Sequence, residues 1–467
     1  MTSLQELVSQ NPWWRDPESI ERDPKITQLW SLPFQRRPAV LNTLRLDQPN
    51  VYTLRGPRQV GKSTAVKTLI RDLIHSGFPP RRILYASMEL ERNPRALRDT
   101  VLRAKAQFPS DPSPWVIFLD ELSWVREWQS ALLYLRDHTA AAQDCFVLTG
   151  SSARDLRHGA ERLPGRRGPS RDLDKLLLPL SFREFCSATA TSINLPAMTI
   201  GEIAYGTDTS AIREAMLYLN ELQVALDNYL EVGGFPAAVA DFLRTGSVSD
   251  TTVRMLWDIF AGDVERWGRD RNTALKLLER VVMNLGAPSS WNGLAEEMAV
   301  GKEITAKEYS DLLADSFLLL VLYFLDMARK APAPKKRKKL YPTDPLLWRL
   351  PRYIRPGESL PATGPQIETV IATTLFRAQE ASLQESFSVP RSLFYWRSSS
   401  DREIDFLNGI PPNVVPVESK YATRIDGDTK KVIRNSFGKG LLVSRGSLEL
   451  EDPVRVVPAA IVLALLP

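Results

Sequence analysis

The sequence predicts an α/β protein with a doubly wound parallel sheet in its N-terminal part and helical and mixed α/β segments after it. Three observations predict this fold. Short apolar runs alternate with helical patterns between residues 51 and 181, which is typical of a parallel sheet covered by helices. A glycine-containing segment separates the first apolar run from its helix. Two strand-like segments near the C-terminus carry alternating charges and predict a hairpin.

Five apolar runs are the predicted strands of the N-terminal sheet. They are Val51–Leu54, Ile83–Leu90, Val116–Leu119, Cys145–Ser152 and Lys175–Ser181. Ligands of such sheets bind at the carboxyl ends of the strands. The polar residues that follow these runs are therefore the first candidates for a functional site.

The segment after the first run has the spacing G-x-x-x-x-G-K-S and leads directly into a helical pattern. This context predicts a P-loop, in which main-chain N–H groups cradle the phosphates of a nucleotide. Lys62 is predicted to reach the β- and γ-phosphates, and the Ser63 hydroxyl to hold Mg²⁺. ATP and Mg²⁺ are the predicted cofactors. The predicted nucleotide contacts are Gly56, Pro57, Arg58, Gln59, Val60, Gly61, Lys62, Ser63 and Thr64.

Acidic and small polar residues follow two later runs. Asp120 is predicted to bind Mg²⁺, and Glu121 is predicted to be the base that polarises the attacking water. After the fourth run, Thr149, Ser151 or Ser152 is predicted to sense the γ-phosphate.

Composition excludes several classes of protein. The chain is 43% hydrophobic and 25% charged, as expected of a globular protein. Its longest apolar runs, Phe317–Leu325 and Val456–Leu466, are shorter than the roughly 20 residues of a membrane span. With two cysteines and three histidines, neither a disulfide framework nor a zinc site is expected. These features predict a cytoplasmic protein without a membrane partner.

Basic residues are clustered although the net charge is only +5. Six arginines lie between Arg154 and Arg171, and five consecutive basic residues run from Lys335 to Lys339. Such clusters are typical of proteins that bind the phosphate backbone of nucleic acid. DNA is therefore the predicted partner. The alternative is that both clusters are solvated linkers or surface faces.

The C-terminal third carries a second set of candidate residues. Glu403 and Asp405 lie two apart in one predicted strand, and Glu418 and Lys420 lie two apart in the next. Each pair therefore shares a face, and Glu368 on a preceding helix is expected to join them. Glu368, Asp405 and Glu418 are predicted metal ligands for Mg²⁺. Asp405, Glu418 and Lys420 are predicted catalytic residues for phosphodiester cleavage. The alternative is a half-buried hairpin with alternating charges.

The chain resembles prokaryotic AAA-type ATPases that carry a C-terminal PD-(D/E)xK nuclease-like domain of unknown function. The matching stretches are LRGPRQVGKST, IFLDELSWVREW, VLTGSSARDL, LLPLSFREF, YLEVGGFP, KLYPTDPLL, and DREIDFL with VPVESKYA. The resemblance implies an ATPase core, a helical lid, a winged-helix element and a restriction-endonuclease-like α/β domain.

The resemblance also carries functional roles onto individual residues. It places the phosphate loop on Gly56–Thr64, the acidic pair on Asp120 and Glu121, and the sensor on Ser151 or Ser152. It places the nuclease-like positions on Glu368, Asp405, Glu418 and Lys420. It further implies an arginine that contacts the nucleotide of a neighbouring subunit, for which Arg162, Arg166 and Arg167 are candidates and Arg166 is the working choice.

Five domains are predicted from these patterns. They are a Trp- and Arg-rich leader (1–45), the P-loop ATPase core (46–185), a helical lid (186–255), a winged-helix-like module (256–345) and the nuclease-like domain (346–467). For residues 256–345 the alternative is plain helical packing.

Two functions from different classes are compatible with these predictions. The first is an ATP-driven DNA-processing motor, acting as a homo-oligomeric ring such as a hexamer, that translocates or remodels DNA, including branched DNA. Its C-terminal domain would cut or grip the DNA. The second is a slow ATP-dependent signalling or defence switch, with the C-terminal domain as a non-catalytic binding module. A third, plainer possibility is an ATPase whose C-terminal domain mediates assembly.

Overall fold

The computed structural model divides the chain into two compact units, Met1–Leu178 and Pro179–Pro467. The first unit thus ends before the predicted boundary at residue 185. The structure describes residues 3–111, 114–150, 156, 159–189, 193–354, 361–383, 387, 389–398, 401–425 and 427–467.

The first unit is built on a five-stranded sheet in which every neighbouring pair is parallel. Its strands are β1 (Val51–Arg55), β2 (Ile83–Ser87), β3 (Val116–Asp120), β4 (Cys145–Thr149) and β5 (Asp174–Leu176). Their order across the sheet is β2-β3-β4-β1-β5. The predicted parallel α/β sheet is therefore confirmed for this unit. β4 lies between the strand that leads into the glycine-containing loop and the strand that ends at Asp120.

In the described part of the first unit, helices precede these strands or lie between them. They are α1 (Leu4–Gln10), α2 (Pro24–Ser31), α3 (Lys62–His75), α4 (Pro94–Ala106) and α5 (Trp128–His138). β1, β3 and β4 are buried along their whole length, as expected of parallel strands covered on both faces. β2, β4 and β5 end earlier than the apolar patterns predict. Apolar residues beyond the strand ends, such as Met88 and Leu177, are buried from loop positions instead.

The N-terminal segment covers the outer edge of β2 with side chains. The Asn11 amide accepts a hydrogen bond from Tyr85 N (2.6 Å) and donates one to Tyr85 O (2.8 Å). The indole N–H groups of Trp13 and Trp14 donate to Ile83 O at 3.2 and 2.8 Å. These side chains take the hydrogen bonds that a sixth strand would make, and so they close an edge that would otherwise be open to pairing.

The second unit begins with consecutive helices and carries more helices between its later strands. The helices are α6 (Phe182–Ala188), α7 (Ile200–Tyr205), α8 (Ser210–Met216), α9 (Leu219–Val232), α10 (Pro236–Thr245), α11 (Asp250–Arg266), α12 (Arg271–Met283), α13 (Trp291–Glu297), α14 (Glu303–Asp315), α15 (Arg349–Ile354), α16 (Thr363–Leu383), α17 (Gly427–Phe437) and α18 (Ala459–Leu465). None of the helices in the described ranges is long and apolar enough to cross a membrane.

A short-turn helix pair, α13 and α14, leads into a hairpin. The hairpin strands are β6 (Leu319–Tyr323) and β9 (Lys338–Pro342), and the small strands β7 (Leu325–Asp326) and β8 (Ala331–Pro332) lie between them. β6 and β9 pair antiparallel, with Leu322 opposite Lys339, and a bridge joins Ser289 to Lys338. We call residues 319–342 the wing hairpin.

The C-terminal part of the second unit is a mixed five-stranded sheet. Its strands follow chain order across the sheet: β10 (Leu393–Arg397), β11 (Glu403–Asn408), β12 (Val415–Ser419), β13 (Gly440–Ser444) and β14 (Val454–Pro458). The first three strands pair antiparallel and the last three parallel. The predicted hairpin of charged strands is confirmed as β11 and β12.

Candidate functional site

The loop between β1 and α3 has glycines where its backbone conformation or a close contact requires them. Gln59 and Gly61 have positive φ values of 62° and 96°. A Cβ on Gly56 would lie 2.0 Å from the carbonyl oxygen of Leu177, so only glycine fits there. α3 begins at Lys62, immediately after the loop. The N–H groups of its first turn, which have no partners within the helix, therefore face the end of the loop and favour an anion there.

Lys62 is held inside this loop. Its ammonium group donates hydrogen bonds to the carbonyl oxygens of Gly56 and Pro57, both at 2.9 Å. The lysine is only 6% exposed. Its charge therefore sits where phosphate oxygens would meet the main-chain N–H groups. Of the other predicted contacts, Gly56, Pro57 and Val60 are buried, Arg58, Gly61, Ser63 and Thr64 are half-buried, and Gln59 is exposed.

Asp120 lies at the end of β3 and is 3% exposed. Its Oδ1 accepts a hydrogen bond from the Thr149 hydroxyl at the end of β4, and its Oδ2 accepts one from the Tyr85 hydroxyl at 2.9 Å. Burial, reinforced by the charge of Asp120, raises the pKa of Tyr85. The tyrosine therefore stays protonated and donates, and both carboxylate oxygens are oriented by neighbouring strands.

Glu121, the predicted base, has a left-handed backbone with φ 53°. Its N–H donates to Asp120 Oδ1 (3.1 Å) and Thr149 Oγ1 (3.2 Å). A positive φ is uncommon for a residue other than glycine, and here these hydrogen bonds accompany it. The predicted sensors Ser151 and Ser152 lie outside the described residues.

These residues fit a magnesium-bound nucleoside triphosphate. Strands β1, β3 and β4 are parallel neighbours, so the loop, Asp120 and Thr149 lie at the same edge of the sheet. The loop supplies N–H donors and an ammonium group for phosphate oxygens, and Ser63 and Asp120 supply oxygens of the kind that Mg²⁺ binds. A bound magnesium ion would neutralise charge on the β- and γ-phosphates.

Two of the candidate arginines have internal partners. Arg167 is half-buried and donates to both carboxylate oxygens of Asp174, at 2.8 and 2.9 Å. Its guanidinium group is therefore engaged with Asp174 inside the first unit. Arg166 is exposed and pairs with Asp137 at 3.1 Å. Arg162 is exposed as well, while Arg154 and Arg157 lie outside the described residues.

Acids of the second set of candidate residues surround Lys339, which the sequence analysis assigned to the basic run Lys335–Lys339. The ammonium group of Lys339, in β9, lies 3.0 Å from Glu368 Oε1, 2.6 Å from Glu403 Oε1 and 2.9 Å from Asp405 Oδ1. Lys339 is 1% exposed. The remaining carboxylate, Glu418, accepts a hydrogen bond from Asp405 N at 3.1 Å. We call these five residues the Lys339 cluster.

The pKa shifts of the Lys339 cluster follow from its burial and its excess of acids. Burial and the charge of Asp405 raise the pKa of Glu368 to about 6, and the same two causes raise the pKa of Glu418 well above its ordinary value. Burial lowers the pKa of Lys339. The surrounding acids outweigh that effect and hold this pKa well above its usual range.

Mg²⁺ does not fit the Lys339 cluster in this arrangement. An ammonium group has three donors, and three carboxylates already surround that of Lys339. Asp405 Oδ2 also accepts from Ser419 N at 2.9 Å, and Glu368 Oε1 accepts from the Tyr341 hydroxyl at 2.6 Å. Within the described ranges, no group of three or more His, Cys, Asp or Glu residues is arranged to hold a metal ion. The predicted catalytic lysine, Lys420, is exposed.

Comparisons with protein families match two segments of the chain. A family described as an AAA domain matches residues 48–186. This segment holds the phosphate loop, Asp120 and the whole five-stranded sheet. Residues 48–186 form an AAA-type ATPase domain. A second family, described as a domain of unknown function (DUF8612), matches residues 223–349.

Solved structures match much of the chain's length at low sequence identity. The Walker-type ATPase PABY2304 of Pyrococcus abyssi is 14% identical, with 75% of this chain and 97% of that chain covered and a TM-score of 0.38. The ORC1 protein of Aeropyrum pernix, solved in complex with DNA, is 13% identical over 71% and 92%, with a TM-score of 0.27. A RuvB variant of Thermotoga maritima is 16% identical over 72% and 91%, with a TM-score of 0.24.

These TM-scores all lie below 0.5, so the structural likenesses carry no argument here. No protein of curated function matches the chain. The family match and the loop geometry together identify the chain as an ATPase.

The sequence analysis missed Tyr85 in the AAA domain and Lys339 in the second unit. Tyr85 reaches Asp120 from a neighbouring strand, and no motif spacing connects the two. Lys339 was included among the surface charges of Lys335–Lys339, but Lys338 and Lys339 are buried and only Lys335, Lys336 and Arg337 are exposed. The alternation in KKLYP, which puts Lys339 and Tyr341 on one face of a strand, was the available signal.

Proposed function

We propose that this chain is an ATP-driven DNA-processing protein that grips DNA through its wing hairpin. The observation that carries this proposal is the row of three consecutive exposed cations, Lys335, Lys336 and Arg337, in the turn before β9. Such a row supplies the charge that neutralises neighbouring phosphates of a nucleic-acid backbone. ATP hydrolysis in the AAA domain is the energy source.

The order of elements around this turn supports the proposal. Helices α12, α13 and α14 followed by the β6–β9 hairpin are in the order of a winged-helix module, and the basic turn lies between β8 and β9 on the returning side of its wing. In many helix-turn-helix proteins the second helix enters the major groove. The α13–α14 pair is unsuited to that task because residues 291–315 contain six acids and two lysines. The wing is therefore the proposed DNA contact.

The exposed arginines of the AAA domain are candidates for a second proposed contact, with the nucleotide of a neighbouring subunit. Arg162, Arg166 and Arg171 are exposed. In a ring of several copies, Arg162 or Arg166 would approach the nucleotide of the next subunit, where an arginine contributes about 10³-fold or more to hydrolysis. The ring, the arginine contact and the roles of Ser63, Asp120 and Glu121 are parts of this proposal.

The C-terminal mixed sheet is proposed to grip rather than to cut. Cleavage by Asp405, Glu418 and Lys420 requires a metal beside Asp405, whose carboxylate already pairs with Lys339. The competing function, a slow ATP-dependent switch, shares this non-cutting domain and differs in its response to DNA.

The first test measures ATP hydrolysis with and without single-stranded, duplex and branched DNA. Stimulation that weakens as salt rises is the expected result, because the contact is electrostatic. A Lys62→Ala chain is expected to lose hydrolysis by at least about 10²-fold, since it lacks the phosphate-facing ammonium group. An absence of stimulation, together with a tightly held nucleotide, would favour the switch.

The second test locates the DNA contact. A Lys335→Glu/Lys336→Glu chain is expected to bind duplex DNA more weakly and to lower the slope of log affinity against log salt by about 1.8, since each lost phosphate contact accounts for roughly 0.9. Fluorescence anisotropy at several salt concentrations measures both quantities.

The matched control is Arg15→Glu/Lys25→Glu, which reverses two exposed charges in the leader. It is expected to leave the salt slope unchanged. Equal losses in the two double variants would show that only overall charge matters and would remove the wing from the proposal.

A further inference from the structure

The Lys339 cluster brings together one lysine and four acids from four elements of the second unit. The lysine comes from the wing strand β9, Glu368 from α16, Glu403 and Asp405 from β11, and Glu418 from β12. Three carboxylate oxygens lie within 2.6–3.0 Å of its ammonium nitrogen. These are hydrogen-bonded ion-pair distances, and the side chain is 1% exposed. The wing hairpin and the mixed sheet therefore meet at a buried charge.

The backbone of Lys339 is fixed on both sides. Lys339 lies opposite Leu322 in the β6–β9 pair. Its neighbour Lys338 is bridged to Ser289, and the Tyr395 hydroxyl donates to Arg337 O at 2.5 Å. This pairing fixes the face of β9 from which the Lys339 side chain extends toward the acids. A surface lysine that happened to fold inward would lack these restraints.

The carboxylates around Lys339 are arranged for an ammonium group rather than for a bare divalent ion. Mg²⁺ takes oxygen ligands at about 2.0–2.1 Å in a nearly octahedral arrangement. Here carboxylate oxygens of Glu368, Glu403 and Asp405 lie at hydrogen-bonding distance from the Lys339 nitrogen, which already occupies the centre of the group. A divalent ion at the same centre would have to displace a buried charge of the same sign.

We propose that Lys339 is a built-in cation that takes the place of a divalent metal in the C-terminal domain. It fastens the wing hairpin to the mixed sheet and leaves that sheet without nuclease activity. This inference does not depend on DNA being the partner, because it concerns only contacts within the second unit.

The first test counts bound Mn²⁺, a paramagnetic substitute for Mg²⁺, by electron paramagnetic resonance. The full-length chain carries Asp120→Asn and is free of nucleotide, so the AAA domain lacks its metal carboxylate. No bound Mn²⁺ is expected. Adding Lys339→Met, which keeps an unbranched side chain one atom shorter and without charge, is expected to create one Mn²⁺ site. A bound ion before this change, or none after it in a folded chain, would overturn the proposal.

The second test measures the fastening by thermal unfolding. Lys339→Met removes one partner of a buried ion pair. It is therefore expected to lower the melting temperature of the second unit by about 6–20 °C. The matched control, Lys420→Met, removes the exposed lysine that follows β12 and is expected to lower this temperature by no more than about 2 °C. Equal shifts in the two variants would contradict the proposal.

The third test asks directly for cleavage. The unmodified chain is incubated with Mg²⁺ or Mn²⁺ and with single-stranded, duplex and branched DNA. The expected result is no cleavage, and this test remains valid even if Lys339→Met fails to fold. Cleavage that Asp405→Asn abolishes would show that a metal reaches these carboxylates and would refute the proposal.

Discussion

Tyr85 is the residue through which the N-terminal segment is connected to the Asp120 carboxylate. Its hydroxyl donates to Asp120 Oδ2 at 2.9 Å, and the Lys67 ammonium group lies 3.7 Å from the centre of its ring. Lys67 pairs in turn with Asp23 of the leader at 3.1 Å. Since Asn11 also fixes the Tyr85 backbone, the position of the hydroxyl is set from several sides.

Replacing Tyr85 by phenylalanine is therefore expected to raise the Mg²⁺ concentration that hydrolysis requires. The Asp120 carboxylate would lose one of its two orienting hydroxyl groups, and losses of this kind typically cost about 10–100-fold in metal affinity or activity. ATP hydrolysis measured over a range of Mg²⁺ concentrations should show a higher half-saturating concentration.

The control for this prediction is Tyr52→Phe in β1. The Tyr52 hydroxyl accepts from Arg45 N and from the Asn50 side chain, both at 2.9 Å, and makes its contacts away from Asp120. This variant should keep the half-saturating Mg²⁺ concentration of the unmodified chain. A Tyr85→Phe chain with the same magnesium curve would show that Thr149 orients the carboxylate alone.

The common role of residues that lie close together in the sequence could be predicted. The contacts of residues that only the fold brings together could not. Gly56, Gly61 and Lys62 fall within one loop, so their spacing reveals their common task. Lys339 and Asp405 are 66 positions apart and meet only because the wing hairpin packs on the mixed sheet. A run of basic residues also hides Lys339, because charge runs are usually solvated.

At the level of elements, a buried carboxylate explains two of the sequence stretches that carried the family resemblance. Asp344, in KLYPTDPLL, accepts hydrogen bonds from Gly234 N at 2.8 Å and from Leu346 N at 2.9 Å. A Cβ on Gly233 would lie 2.2 Å from Asp344 Oδ1, and its φ is 75°. Gly233, which follows α9, is therefore needed for Asp344 to approach, while a Cβ on Gly234 would lie 2.1 Å from the carbonyl oxygen of Leu180.

Asp344 is predicted to give the second unit a specific pH dependence. Burial raises its pKa from 3.8 to about 6, against the lowering effect of its two backbone hydrogen bonds. The folded chain thus holds the proton to a higher pH than the unfolded chain does. This contribution to stability is present below pH 3.8, falls as pH rises to about 6 and is constant above it. Its size is on the order of 3 kcal/mol.

Urea unfolding of the unmodified chain and of Asp344→Asn between pH 4 and 8 tests this prediction. The difference in unfolding free energy between the two chains should change between pH 4 and 6 and stay level from pH 6.5 upward. Other acids titrate equally in both chains and cancel in the comparison. A difference that is flat across the whole range would mean that Asp344 is ionised in the folded chain at pH 4.

Strands with a periodic apolar or alternating pattern could be predicted from the sequence. Structural features that depend on single side chains could not. The strands of the first unit and the β11–β12 hairpin have clear apolar or alternating patterns. The cover that the leader places on β2 depends on one asparagine amide and two indole N–H groups, which leave no periodic signal in the sequence. The wing hairpin lies between these cases, since KKLYP alternates but begins in a charge run.

At the scale of the whole molecule, the nucleotide chemistry and the Lys339 cluster belong to different compact units. The phosphate loop, Asp120 and Thr149 lie in Met1–Leu178, and the Lys339 cluster lies in Pro179–Pro467. Each unit has its own buried core. A ligand that binds only the folded form of one unit stabilises that unit by mass action.

ATP with Mg²⁺ is therefore expected to shift one of two thermal transitions. At free ATP about one hundred times Kd the gain is about 2.7 kcal/mol, which for a unit of this size raises the melting temperature by about 5–10 °C. Calorimetry should show this shift for the first unit only. In a Lys62→Ala chain the shift should disappear, because the ammonium group inside the phosphate loop is gone, while the second transition stays in place. Equal movement of both transitions would contradict the assignment of nucleotide binding to the first unit alone.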